Sequence, residues 1–144
     1  MLFRSRVSSN ALIARPLNGS ASGVGDRPHA LETYIESLRA TRELPIELVL
    51  PGHGDPIVDH ASLIDERLRM HQRRAQKILE ILGPGALTAY EIALAIWGNV
   101  AVTQAYLTLS EVLGHLDLLI RDERAREIES DGVIRFEALA PASP

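Results

Sequence analysis

The residue of clearest chemical interest in this sequence is His53, which lies between two glycines in the segment Leu50-Pro51-Gly52-His53-Gly54. Imidazole is a common metal ligand in proteins. Glycine on either side permits turn conformations that other residues avoid and leaves the ring open to approach. A loop on a rigid scaffold is a usual place for such a ligand. An isolated loop histidine is also compatible with a solvated or hydrogen-bonded side chain, so the surrounding residues decide between the two interpretations.

Three polar residues shortly after His53 are candidates to support a metal site. Asp55 and Asp59 are the nearest carboxylates, and either is a candidate to accept a hydrogen bond from the second ring nitrogen of a ligating His53. His60, next to Asp59, is a candidate for a similar supporting contact. Proximity in sequence is the basis of all three predictions.

Two helices and a short strand are predicted to position the turn. A helix after Pro28 is indicated by apolar residues at helical spacing, namely Leu31, Tyr34, Ile35 and Leu38. The apolar run 48–50 ends at Pro51 and is predicted as a buried strand, because proline punctuates strands. Residues 61–82 are predicted as one long helix that ends at Gly83-Pro84-Gly85.

The last part of the chain predicts a helical unit with a hairpin. Thr88 and Glu91 have the spacing of a capping box at the start of a short helix that ends at Gly98. A second helix is predicted from about residue 103 to 121, because apolar residues recur along one face. Asp131-Gly132 between two β-capable runs predicts a hairpin with a type I′ turn. With the long helix before them, these make three helices and a hairpin, an order that is typical of a winged helix.

These motifs together resemble the C-terminal part of a metallo-β-lactamase-fold hydrolase. The likeness rests on Leu50-Pro51-Gly52-His53-Gly54, on the preceding helix with Tyr34-Ile35-Glu36-Ser37-Leu38, and on the following helix with residues 67–74. The subgroup that the chain resembles carries a winged-helix domain after its catalytic sandwich. The resemblance implies that His53 is the last ligand of a site for two metal ions, commonly zinc. The other ligands in that family come from an HxHxDH motif, a later histidine and a bridging aspartate.

The resemblance also implies the fold class and the domain organisation. No HxHxDH pattern occurs here, so we predict an α+β chain that is the C-terminal fragment of an αββα metallo-β-lactamase sandwich, followed by a mostly helical winged-helix domain with a β-hairpin. The predicted parts are the incomplete sandwich at 1–60, a connecting helix at 61–83 and the winged-helix domain at 84–144. Asn10 is predicted on the substrate side, because a similar segment runs beside the metal site in the resembled family. A plain loop is the alternative for Asn10.

The activity implied by the resemblance is metal-assisted hydrolysis of a small-molecule substrate. A hydroxide made available at the metals attacks an ester, a thioester, a lactam or a phosphodiester, and the sequence leaves the choice among them open. A chain that contributes His53 alone is expected to be inactive when isolated, because a single protein ligand binds zinc weakly.

Composition excludes several other classes. The sequence has no cysteine, which rules out disulfides and thiolate ligands and fits a cytoplasmic location. No apolar run approaches the roughly 18 residues of a membrane span, and Met1-Leu2-Phe3-Arg4 lacks the apolar core of a signal peptide. We therefore expect a soluble cytoplasmic protein without a membrane partner.

Two alternatives come from other functional classes. A winged helix raises nucleic-acid binding, but residues 75–144 carry five basic and ten acidic residues, a balance of −5, which repels a duplex. The helix that would enter the groove offers only polar candidates before Arg121, namely Gln104, Thr108, Ser110 and His115, and we predict His115 and Tyr106 as core or interface residues. The second alternative is a non-enzymatic interaction module that binds a protein partner or forms a homo-oligomer through an exposed apolar patch.

Overall fold

The computed structural model describes residues 28–83 and 85–140. These residues form five helices and one two-stranded antiparallel sheet, which confirms the predicted α+β class. The helices are α1 (Ala30–Arg42), α2 (His60–Leu82), α3 (Ala89–Trp97), α4 (Val100–Thr103) and α5 (Ala105–Arg121), and the strands are β1 (Ala125–Ser130) and β2 (Val133–Ala138). None of these helices has the length and apolar character that a membrane crossing requires. The chain divides between Leu68 and Arg69, inside α2, into two compact units.

Helix α1 belongs to the first unit and confirms the helix predicted before the His53 turn. It buries Leu31, Ile35 and Leu38, which are spaced at i, i+4 and i+7 and therefore share one face. Tyr34 is half-buried beside them. The helix begins at Ala30, two residues after Pro28.

The apolar segment 48–50 does not form the buried strand that its sequence predicts. Val49 pairs with Ile57 in an isolated antiparallel bridge, while Leu48 and Leu50 are 51% and 74% exposed. A strand is buried only where neighbouring elements cover its faces. In the described part of the chain, Ile57 is the one bridge partner of this segment, so its apolar side chains stay at the surface.

Helix α2 confirms the long predicted helix to within one residue. Its 23 residues span about 35 Å at 1.5 Å per residue. In the second unit its buried positions are His71, Ala75, Ile78 and Leu82, which recur every three or four residues. Gly83 ends the helix with a φ of +47°, and its N–H donates to the Leu79 carbonyl at 3.1 Å.

Helix α3 begins with the predicted capping box. The Glu91 N–H donates to the Thr88 hydroxyl oxygen at 3.2 Å, and the Thr88 N–H donates to the Glu91 carboxylate at 2.7 Å. This carboxylate also accepts the Thr88 hydroxyl, and these hydrogen bonds hold the pKa of Glu91 below its usual value. Two otherwise unpaired donors at the helix start are thereby satisfied.

The helix predicted from residue 103 is shorter than expected and follows a separate turn of helix. Gln104 has a φ of −124° and a ψ of 40°, which interrupts the helical backbone between α4 and α5. The sequence did not indicate α4, because Val100, Val102 and Thr103 are β-branched residues of low helix propensity. Helix α4 still contributes Ala101 to the core.

The predicted hairpin is confirmed, including its turn. Ser130 pairs with Val133, and Asp131 and Gly132 have φ values of +54° and +72°, as both central residues of a type I′ turn require. The backbone of Leu87 exchanges two hydrogen bonds with Phe136, of 2.9 and 2.7 Å. Leu87, two residues before α3, therefore pairs with the hairpin. The core of this unit centres on Ile78, Ile92, Val112, Leu116, Leu119 and Phe136.

Candidate functional site

His53 lies in the middle of a turn that two backbone hydrogen bonds close. The N–H groups of Val49 and Ile57 each donate to the other residue's carbonyl, both at 2.9 Å. The seven residues between them form the turn, and the His53 side chain is exposed within it. An imidazole in this position can be reached by a metal ion or by another segment of protein.

The two glycines of the turn have different roles. Gly54 has a φ of +88°, a conformation that favours glycine because any other side chain is strained there. A Cβ added at Gly52 or at Gly54 would meet no atom within 4 Å. The turn therefore needs Gly54 for its backbone conformation, while the surroundings of both glycines are open.

The three supporting candidates lie close to the turn in sequence but in different settings. Asp55 is exposed within the same turn. Asp59 precedes α2 and accepts the Ser62 N–H at 2.9 Å, and hydrogen bonding from Ser62 lowers the pKa of Asp59. This carboxylate caps the N-terminus of α2. His60 begins α2, and its Nε2 is buried without a hydrogen-bond partner among the residues that the structure describes.

An ion pair that the sequence did not indicate fixes the two helices on either side of the turn. Arg42, at the end of α1, donates from Nε to Asp65 Oδ1 at 2.6 Å and from Nη2 to Asp65 Oδ2 at 2.9 Å. These hydrogen bonds raise the pKa of the Arg42 guanidinium. The two-pronged contact joins the end of α1 to the first turns of α2, so it limits the separation of the segment ends that flank His53.

The residues that the structure describes do not form a complete metal site. Within 28–83 and 85–140, no group of three or more His, Cys, Asp or Glu side chains is placed to hold a metal ion. His53 and Asp55 have suitable donor chemistry, but zinc sites in proteins use three or four protein ligands. Asn10, the predicted substrate-side residue, lies outside the described residues. The roles predicted for His53, Asp55, Asp59, His60 and Asn10 all stay predictions.

The polar residues considered as base readers on α5 are partly turned inward. Thr108 is buried, and its hydroxyl donates to the carbonyls of Gln104 and Ala105, both at 3.2 Å. His115 is fully buried in the core of the second unit. Tyr106, predicted with His115 as a core or interface residue, is 60% exposed and so does not belong to the core.

Comparison with known proteins gives the chain a family context. The chain aligns over 138 residues, 96% of its length, with the Bacillus subtilis (strain 168) protein named Probable metallo-hydrolase YqjP, at 28% identity. A beta-lactamase domain protein from Burkholderia ambifaria has a TM-score of 0.67 and 26% identity over 78% of this chain. The chain resembles part of a metallo-β-lactamase-family protein. The resemblance predicted from the His53 motif is thereby confirmed.

The similarity covers only part of each relative. The chain spans 42% of the Bacillus subtilis protein and 34% of the Burkholderia ambifaria chain. A metallo-beta-lactamase family protein from Thermus thermophilus shares the fold, with a TM-score of 0.63 and 24% identity over 78% of this chain and 35% of its own. No protein-family model matches the chain.

Proposed function

We propose that the chain is the C-terminal portion of a zinc-dependent metallo-β-lactamase-fold hydrolase in which His53 supplies one metal ligand. The observation that carries this proposal is the exposed imidazole of His53 in a turn closed by the Val49–Ile57 bridge. The likeness to a protein named as a metallo-hydrolase over 96% of this chain supports it. The substrate is a small molecule with an ester, thioester, lactam or phosphodiester bond.

The described residues can supply some of the ligands of a metal site but not all of them. When bound, a pair of zinc ions lowers the pKa of water and polarises the substrate oxygen. His53 coordinates as a neutral imidazole, and Asp55 is the carboxylate in the same turn that is available to orient its second nitrogen. Asp59 is less suited to that task, because Ser62 already engages it at the start of α2. The further ligands belong to residues outside this set, so the isolated chain is expected to lack turnover.

The exposed apolar side chains around the turn support the proposal that the turn packs against a larger domain. Leu48, Leu50 and Val58 flank His53 and are all more than half exposed. A group of large apolar residues next to a candidate ligand is typical of a surface that packs against further protein. We assign this surface to contact with the remainder of the sandwich, which also brings the other ligands to His53.

Residues 84–144, which lie within the second unit, are proposed as a winged-helix domain that does not bind nucleic acid. The order of α3, α4, α5 and the hairpin, with Leu87 bridged to Phe136 as a third strand position, supports this assignment. Its acidic balance and the inward position of Thr108 and His115 disfavour contact with a duplex. The domain boundaries at 60/61 and 83/84 are part of the same proposal.

Zinc titration of the purified chain tests whether His53 is available as a ligand. Histidine ring signals are followed by NMR as zinc is added to the wild type, to His53→Ala and to His29→Ala, where His29 is a second exposed histidine. Weak zinc binding is expected to shift the His53 signals first. Zinc binding is expected to be lost in His53→Ala and kept in His29→Ala. Zinc binding of equal strength in His53→Ala would contradict the assignment.

A second candidate function, a non-enzymatic interaction module, is favoured by one surface feature. Residues 92–110 contain no charged residue, and within them Val100, Val102, Tyr106 and Leu107 are large and exposed. An uncharged apolar surface suits a protein partner or a second copy of the chain. Light scattering of the wild type, Leu107→Glu and the control Val133→Glu tests this function. A dimer that only Leu107→Glu disrupts would support the module, and a monomeric wild type would remove the self-association version.

A further inference from the structure

Two buried histidines lie side by side in the core of the second unit, and the proposed hydrolase chemistry does not use them. His71 on α2 is 8% exposed and His115 on α5 is fully buried. Their ring planes are inclined by 29° with centroids 5.2 Å apart, and His71 Nδ1 lies 3.1 Å from His115 Nε2. Such a close pair of titratable groups in a core calls for a defined arrangement of protons.

The hydrogen-bond partners determine where those protons are. His115 Nδ1 lies 2.8 Å from the Glu111 carbonyl oxygen, which only accepts, so His115 carries its proton on Nδ1. In neutral His115 the Nε2 atom therefore has the lone pair. His71 must then donate its Nδ1–H to His115 Nε2. Each ring has one fixed role in the contact between α2 and α5.

The charged groups around the pair do not favour a cation on His115. The Glu111 carboxylate is 3.8 Å from His115 Nδ1, but it also lies 3.9 Å from the Arg74 guanidinium, which stacks over Trp97. Burial lowers the pKa of His115, the nearby Arg74 charge lowers it further, and the hydrogen bond to the Glu111 carbonyl opposes both. The 3.8 Å contact is accordingly not an ion pair near neutral pH.

The charged side chains on the other elements packed against α5 have partners elsewhere or stand at the surface. Helix α4 carries no charge, and Glu91 of α3 contacts Thr88 and Arg135. On β1, Arg126 pairs with Glu137, and Glu127 and Glu129 are exposed. On α5 itself, Asp117 is buried two residues after His115.

We propose that His71 and His115 form a proton-sensitive latch between α2 and α5 that opens when both rings are protonated. The hydrogen bond needs one of the two facing nitrogens to keep its lone pair. When both rings are cations, two N–H groups face each other at 3.1 Å and two positive charges lie in a low-dielectric core. The contact then breaks, and the second unit loosens.

The sign of the pH dependence follows from the depressed pKa of His115. Stability from the latch is fully present above the unfolded-state histidine pKa of about 6.5 and is lost as the pH falls through the lowered folded-state pKa of His115. Below pH 6.5 the unfolded chain binds a proton that folded His115 excludes. The equilibrium constant for unfolding should therefore rise by up to about fivefold between pH 6.5 and 5.5, because the unfolded chain takes up a proton over this range.

The test compares the unfolding of four proteins by urea between pH 7.5 and 5. His71→Asn keeps an N–H donor for His115 and is expected to retain the acid sensitivity of the wild type. His115→Gln removes the group that excludes the proton and is expected to lose this rise in the equilibrium constant for unfolding. His29→Gln, a matched change at an exposed histidine, is expected to behave as wild type. Equal pH dependence in His115→Gln and the wild type would overturn the latch.

A direct observation on the wild type keeps the proposal testable if a variant does not fold. Nitrogen-detected NMR distinguishes histidine tautomers and follows protonation at each ring. At neutral pH His115 is expected as the Nδ1–H tautomer, and the two rings are not expected to be protonated together as long as the unit is folded. A folded protein with His115 in the Nε2–H form, or with both rings protonated, would refute the proton arrangement.

Discussion

Replacing Gly54 by alanine is expected to destabilise the His53 turn without any steric clash. Gly54 has a φ of +88°, and an added Cβ meets no atom within 4 Å, so the cost arises from the backbone conformation alone. A non-glycine residue in the left-handed region costs about 1–2 kcal/mol. That energy corresponds to a decrease of about 5- to 30-fold in the equilibrium constant for closing the turn. The two hydrogen bonds between Val49 and Ile57 report on this equilibrium directly.

Amide hydrogen exchange at Val49 and Ile57 measures the effect, with Gly52→Ala as the matched control. Gly52 lies in the same turn with equally open surroundings, but its φ is not in the left-handed region. Protection of both amides should fall by about 5- to 30-fold in Gly54→Ala and stay the same or rise slightly in Gly52→Ala, because alanine restricts the unfolded chain. An equal loss of protection in both variants would refute the argument from backbone conformation.

Two further predictions concern the second unit. Ile78→Ala should lower the free energy of unfolding, measured in urea, by about 2–5 kcal/mol, because Ile78 is fully buried in the core. The control Lys77→Ala, on the exposed face of α2, should change this free energy by less than about 0.5 kcal/mol. Thr88→Ala should lower the free energy of unfolding by about 0.5–2 kcal/mol, because it removes the hydroxyl of the capping box. A decrease no larger than that of Thr103→Ala, at an exposed threonine, would argue against the cap.

The parts of the fold that local sequence determines could be predicted closely. Helix α2 was recognisable from a long apolar periodicity, the start of α3 from the Thr88–Glu91 spacing, and the hairpin from Asp131-Gly132. In each case neighbouring residues make the decisive contacts. Helix α4 was missed because its β-branched residues favour other conformations, and only packing of Ala101 into the core explains it.

The features that depend on distant residues could not be predicted from local patterns. The segment 48–50 has the composition of a buried strand, but burial depends on neighbouring elements that its own sequence does not specify. The Arg42–Asp65 ion pair joins residues 23 positions apart, and the His71–His115 hydrogen bond joins residues 44 apart. At the candidate site the sequence indicated His53 and its turn, while the setting of Asp59 as a helix cap became evident only from its bond to Ser62.

The central proposal is that His53 coordinates metal in a complete metallo-β-lactamase-fold hydrolase. The most direct test joins this chain to the part of the Bacillus subtilis relative that it does not cover and measures bound zinc together with turnover of a thioester and a lactam. The parent chimera and His29→Ala should retain zinc and hydrolyse one of the substrates, and His53→Ala should lose bound zinc and activity together. Full zinc content and activity in the His53→Ala chimera would contradict the assignment of His53 as a metal ligand.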